Sequence, residues 1–348
     1  MPRSLADAVR RPKRRAIMKT EKKTQRNSNP YKHTDSNKRY FTYDYYLRRE
    51  FGGKCAKIPI DAGFTCPNID GRCGIGGCIY CSARGSGDFA ESALLSVKDQ
   101  YDITRKKLSS KWSTERCIPY FQAHTNTYAP TEVLREKFEE ALALPGVVGL
   151  NIATRADCLE DSTLEYLAEI AERTVLCVEL GLQSSNDATA ELINRGHDFA
   201  AFVDGYSRLR AASDRIKICV HVIFGLPGES RNEMLRTASD VAALRPDQVK
   251  LHLLHVLRGT PLSDMYERGE YMPMEREEYI SLVADAIERL PEDTVVARVT
   301  GDGMAEDLQA PLWSIKKVSV INDIDKELFR RNTCQGRLFD APEGDKSK

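Results

Sequence analysis

The sequence predicts an α/β fold built on a parallel sheet, and three observations carry that expectation. Short apolar runs alternate with amphipathic segments at intervals of roughly 30 residues. The amphipathic segments show helical periodicity. Polar and glycine-rich stretches fall after the apolar runs, where the carboxyl ends of strands would lie. Strand–helix–strand repeats of this length require right-handed crossovers and therefore parallel strands. Six such units can make an open doubly wound sheet or an incomplete barrel, and both bind ligands beyond the carboxyl ends of their strands.

The strands are expected at residues 57–60, 118–122, 147–154, 175–183, 216–224 and 249–256. Helices are expected at 131–144, 162–172, 199–212 and 231–244. In the first of these, Leu134, Phe138, Ala141 and Leu142 recur at helical spacing and form one core-facing stripe. A further helix over 276–290 and a strand over 294–300 lead into a polar C-terminal stretch. The chain thus divides into a basic tail (1–37), a core domain (38–290) and a C-terminal extension (291–348). Residues 31–51 are expected to pack as an entry segment beside the cysteine loop that follows the first strand, with the aromatics around Tyr40–Tyr46 packing against the sheet-and-helix body or stacking bases.

With 41% hydrophobic and 29% charged residues, the 348-residue chain has the composition of a globular protein. No apolar run approaches the roughly 20 residues that span a bilayer. The N-terminus is charged but lacks the apolar core of a secretory signal. Ten cysteines then read as reduced thiols and metal ligands of a cytoplasmic protein. A net charge of zero conceals 13 Lys/Arg against three acids in residues 1–40, leaving 38 against 48 in the remainder. A basic tail can hold a polyanion by counterion release, or be a solvated leader; Met18 is a second candidate start.

The cysteine loop reads CPNIDGRCGIGGCIYC, from Cys66 to Cys81. Four thiolates close the coordination of a cubane iron–sulfur cluster, whereas three leave one iron able to bind a ligand. Cys66, Cys78 and Cys81 are the candidates for three. Cys73 could replace Cys66, although Cys66 directly follows the strand and precedes Pro67. All four together would also suit a tetrahedral zinc. Cys177 and Cys219 lie inside apolar strands, where buried free thiols are common.

This loop, followed in order by ELGLQS (Glu179–Ser184), NRGH (Asn194–His197), HVIFGLPGE (His221–Glu229) and LRGTPLSDMYERGEY (Leu257–Tyr271), resembles radical S-adenosylmethionine (SAM) enzymes. Within them it is similar to short bacterial relatives of the elongator catalytic subunit that lack an acetyltransferase domain. The resemblance spans residues 38–310. It implies a partial (β/α)6 TIM-like barrel and a [4Fe–4S] cluster on Cys66, Cys78 and Cys81. The fourth iron would chelate SAM. An electron from a flavodoxin- or ferredoxin-type reductant would then split SAM into methionine and a 5′-deoxyadenosyl radical.

The resemblance also implies SAM contacts. Residues 122–125 (QAHT) occupy the place of the usual glycine pair, which makes Gln122 and Thr125 candidates. Glu179 and Gln183 match positions that hold the sugar and carboxylate. Gly225, Pro227 and Gly228 match the turn beneath the adenine. Arg155, Arg195, His197, Lys250 and Arg258 are expected at the same rim, and His221 reads as a core histidine. The implied substrate is the wobble uridine of tRNA. Only 38 residues follow Ala310, so remodelling of an existing side chain at uridine C5 is expected rather than acetyl transfer, for example carboxymethylaminomethyl to aminomethyl. The alternatives are radical chemistry on a small metabolite or protein, and a non-catalytic zinc protein that binds RNA.

Overall fold

Seven parallel strands follow one another across the main sheet of the computed structural model, which describes residues 29–301 and 303–340. Most of the expected basic tail, residues 1–28, lies outside the described residues. The strands are β1 (Ala56–Ile60), β2 (Cys117–Phe121), β3 (Gly149–Thr154), β4 (Val175–Gln183), β5 (Lys217–Phe224) and β6 (Gln248–Leu253), with β8 (Val295–Arg298) at the far edge. Between β6 and β8, β7 (Val256–Leu257) leaves the sheet to pair antiparallel with β9 (Leu308–Ala310). The single strand expected over 249–256 is therefore broken at Leu254–His255.

Side-chain reach shows that the sheet is curled into a half-barrel. Neighbouring strands lie about 4.8 Å apart, so β1 and β4 of a flat sheet would be about 14 Å apart. Yet Lys57 Nζ on β1 is 2.8 Å from Glu179 on β4. Lys250 Nζ on β6 lies 3.3 Å from the Tyr120 hydroxyl on β2. Only a closed-in concave face allows both.

Helices surround the sheet. They are α1 (Tyr43–Phe51), α2 (Val97–Ser109), α3 (Thr131–Leu142), α4 (Asp161–Arg173), α5 (Asp187–Leu192), α6 (Phe199–Ala212), α7 (Arg231–Ala243), α8 (Pro261–Glu267), α9 (Arg276–Arg289) and α10 (Lys317–Arg330). Local chemistry starts several of them. Ser230 and Glu233 close a reciprocal capping box on α7, and Asp198 caps α6. On α3 the expected Leu134, Phe138 and Ala141 are buried, and the Phe138 ring meets Phe121 edge-on at 4.8 Å. Burial of each such ring contributes about 1.5–3 kcal/mol.

Two sequence expectations change here. Val295–Arg298, assigned to the C-terminal extension, is the seventh strand, in register with Gln248–Lys250 of β6. The sheet thus continues past residue 290, and α10 packs on α9. Residues 31–51 pack against the sheet, as expected of the aromatics around Tyr40–Tyr46, but at its far edge and not beside the cysteine loop. Val296 donates its N–H to Phe41 O at 2.8 Å, and Thr42 bridges Val296, which covers the otherwise open edge of β8. From there α1 carries Tyr43 to within 5.4 Å of Lys57 on β1, so it spans the gap between the two sheet edges. Among the described residues no helix is long and apolar enough to cross a membrane.

Candidate active site

At the carboxyl ends of the strands the half-barrel opens into a cavity of about 560 Å³. Cys66, Cys78 and Cys81 all border it. Cys73 does not. It is exposed, with its thiol 3.9 Å from Asp157 Oδ2. The fourth thiol that a zinc site would need thus does not border the cavity on which the other three open.

The loop is held by a clasp between two asparagines. Asn194 Nδ2 donates to Ile75 O at 3.1 Å and Gly77 O at 2.7 Å. Asn68 Nδ2 in return donates to Asn194 O and lies 3.6 Å from Cys78 Sγ. The clasp requires close backbone approach, because a β-carbon at Gly74 or Gly196 would come within 2.4 and 2.5 Å of Asn68 Oδ1. Cys78 is buried, yet a hydrogen bond from Cys81 and the nearby Arg195 guanidinium push its thiol down to about 5. A thiolate is the form that binds metal. Three convergent thiols, one held as thiolate and bonded from outside by an amide, fit a three-cysteine iron–sulfur cluster.

The floor of the cavity is an ion network. Glu179 is fully buried and accepts from Lys57 (2.8 Å) and Asn151 (2.7 Å) on one oxygen. On the other it accepts from Tyr120 (2.7 Å), His221 Nε2 (2.8 Å) and Lys250. A carboxylate only accepts, so His221 carries its proton on Nε2. Burial opposes the charge on Glu179, but the ammonium groups of Lys250 and Lys57 hold its carboxyl well below the ordinary range. Although Glu179, Cys219 and His221 place three ligand atoms within 4.8 Å, those two ammonium groups oppose a cation there.

Burial pushes His221 and His255 down to about 4 and His252 well below its usual value. Unfolded, each titrates near 6.5, so between about 4 and 6.5 the unfolded chain binds more protons than the folded one. Stability therefore falls as pH drops through that window, and Glu179 adds to the loss below about 4.5. Thermal melts at pH 7.5 and pH 5 should differ by several degrees, the acid sample melting lower; equal midpoints would show that the imidazoles are not buried as neutral rings.

The candidate SAM contacts separate into two groups. Gln122, Thr125, Glu179 and Gln183 line the cavity; Gly225, Pro227 and Gly228 do not. Tyr271 donates to Gly225 O at 2.8 Å, and Met274 covers the same glycine, so this turn packs outside the wall, which Ile223 supplies instead. Glu179 reaches the cavity with both oxygens already engaged by this chain. Gln183 has a left-handed backbone (φ 76°) at a register shift beside Gly181. In the QAHT segment, Gly85 passes so close over His124 that a β-carbon would lie 2.2 Å from Nδ1. Of the expected rim cations, Arg155, Arg195 and Lys250 line the cavity, whereas His197 and the exposed Arg258 do not. Arg155 grips Asp157 with two hydrogen bonds of 2.9 and 2.7 Å.

Residues that the sequence reading missed include Asn68, Lys57, Tyr120 and Asn151. For Lys57, Tyr120 and Asn151 the one signal was a polar side chain at an inward position of an otherwise apolar strand, whereas Asn68 stands in the cysteine loop itself.

The Radical SAM superfamily model matches residues 69–241, and the Radical_SAM C-terminal domain model matches 246–330. The chain belongs to the radical SAM superfamily. Radical SAM proteins use a [4Fe–4S] cluster and SAM, which agrees with the three convergent thiols. The chain is 47% identical to the uncharacterized protein YtqA of Bacillus subtilis over 312 residues, 90% of this chain and 96% of that one. It is 27% identical over 194 residues to a tRNA uridine(34) acetyltransferase of Methanocaldococcus jannaschii, covering 55% of this chain and 34% of that protein. The fold resembles archaeal Elp3 of Methanocaldococcus infernus with a TM-score of 0.62 at 19% identity, over 81% of this chain and 64% of the other.

Proposed function

We propose that this radical SAM protein remodels an existing side chain at C5 of the wobble uridine of tRNA, converting carboxymethylaminomethyl to aminomethyl. The observation that carries the reading is the sequence shared with the tRNA uridine(34) acetyltransferase, over about half of this chain, joined to an open cavity walled by cationic side chains. An anticodon base is unstacked and can enter such a mouth.

Cys66, Cys78 and Cys81 hold the cluster, and the Asn68–Asn194 clasp fixes their loop. Gln122, Thr125 and Gln183 border SAM. Glu179 serves a different end, keeping Lys57, Lys250 and His221 in place beneath it. When bound, the cofactor pair would supply a hydrogen-abstracting radical, and the overall balance would be a secondary amine, water and SAM giving the primary amine, glyoxylate, methionine and 5′-deoxyadenosine, with the one remaining proton on the product amine. A reductant of the flavodoxin or ferredoxin type delivers the first electron.

Nucleosides from the anticodons of a deletion strain, separated by mass spectrometry, test the substrate. Carboxymethylaminomethyluridine should accumulate at the expense of aminomethyl-derived forms. An unchanged profile would remove the wobble uridine and leave radical chemistry on a metabolite or protein.

A further inference from the structure

The amino ends of β1 and β2 carry a cationic surface that the cavity chemistry does not use. Arg105, Lys106, Lys107, Lys111 and Arg116 fall at the end of α2 and in the turn to β2, a stretch that holds one acid, Glu115. Beyond residue 40 the chain as a whole has the opposite bias, with 48 acids against 38 Lys/Arg. The turn before β1 joins this surface. A β-carbon on Gly53 would stand 3.0 Å from Arg116 Nη1, and Lys54 Nζ lies 5.8 Å from the centre of the Trp112 ring.

Part of the charge has a local use. Lys106 and Lys107 sit in the last turn of α2, where cations complement the helix dipole, and Lys107 also pairs with Glu91. Arg105 donates to Thr114 O at 3.2 Å, which folds the turn back on the helix. Neither use covers Lys54 or Lys111. Both stand in turns, are exposed, and make no ion pair among the described residues. Arg116 approaches Glu115 only to 3.9 Å.

Trp112 stands amid these cations. Its side chain is 57% exposed although Lys54 lies over it. A protein partner would bury such an indole in a surface poor in lysine, because interfaces deplete that residue. Cations that track a phosphate backbone around an exposed aromatic plane are instead the arrangement that holds an unpaired nucleic-acid strand. β1 and β2 run from this surface to the cavity, so the two stand at opposite ends of the same strands, about 17 Å apart over the five residues of β1. A single nucleoside cannot touch both; a folded RNA can.

We propose that Lys54, Lys111, Trp112 and Arg116 form an RNA-docking surface separate from the cavity, in which Trp112 stacks on an unpaired base and the cations meet the phosphates beside it. The inference rests on the wobble-uridine reading for the identity of the RNA, a tRNA. It gives the protein a means to prefer a whole tRNA over an isolated nucleoside, because a second contact on the same molecule adds avidity.

The test uses the full-length protein and a tRNA transcript, with binding followed by anisotropy of labelled RNA and, separately, by tryptophan fluorescence. Residues 1–28 stay in every variant, so their charge is common to all. RNA should quench the fluorescence of the original protein and leave that of Trp112→Phe largely unchanged, because Trp313, the other tryptophan, is partly buried and bonded to Met274 O. Trp112→Phe should keep its affinity within about twofold, whereas Trp112→Ala should lose about tenfold. Lys54→Ala and Lys111→Ala should each lower the magnitude of the slope of log K against log salt by about 0.7 to 0.9. Melting midpoints should not move, since all three side chains are exposed. Binding of tRNA with unchanged fluorescence and unaltered affinity in the variants overturns the surface and leaves the wobble-uridine reading standing. An unchanged wobble profile in the deletion strain, beside a quenched Trp112, removes that substrate and supports the surface. Quenching by polyglutamate as strong as that by tRNA assigns the surface to an acidic protein and overturns the RNA claim. Absence of any tRNA binding overturns both.

Discussion

Alanine at Cys66, Cys78 or Cys81 should give folded protein that no longer takes up iron and sulfide under anaerobic reconstitution, whereas Cys73→Ala should remain brown. The three thiols converge on one cavity, and Cys78 is held as a thiolate by Cys81 and Arg195. Removing one leaves two ligands, too few to anchor a cubane. Cys73 faces Asp157 in an exposed loop and has no part in that convergence. Iron content and the visible absorption of each variant read the outcome directly. A colourless Cys73→Ala beside a brown Cys66→Ala would exchange their roles.

The second large effect belongs to Glu179. Its carboxylate is 1% exposed and receives five donors from β1, β2, β3, β5 and β6, so it ties five strands to β4. Glu179→Gln keeps the volume but removes the negative charge and leaves Lys57 and Lys250 facing each other in a buried site. Breaking a buried ion network by taking one partner costs about 3–5 kcal/mol. Urea unfolding should show a loss of that order. Adding Lys250→Met to Glu179→Gln should restore part of it, because the second change removes one of the stranded charges. A Glu179→Gln protein as stable as the original would mean that the carboxylate is not the keystone of the floor and is free to meet a ligand.

The parallel sheet was legible because each inward strand reads as an apolar run and α3, α4, α6 and α7 carry apolar stripes at helical spacing; the choice of a half-barrel over an open sheet came only with the family resemblance. Helix α2 was not, since VKDQYDITRKKLS is largely polar and buries only Val97, Gln100, Tyr101 and Thr104. Strand β8 was assigned to an extension because its four residues follow α9 without a motif; its place emerges only from register with β6. Among the site residues, the cysteines stand in one loop and could be read together. The floor could not be, because its members come one per strand, and Tyr120 and Lys250 meet across 130 positions of sequence. A lone Glu179 next to GLQ looked like a ligand for SAM; only the curl of the sheet reveals the cations around it. In NRGH the cation drew attention, yet Asn194 fastens the loop.

The most direct measurement is electron paramagnetic resonance of the anaerobically reduced protein, with and without SAM. A cluster held by Cys66, Cys78 and Cys81 alone has one iron open to a ligand, so a [4Fe–4S] signal should appear and shift when SAM is added, with 5′-deoxyadenosine forming in the same sample. A signal indifferent to SAM, or a silent protein containing one zinc, would contradict the account.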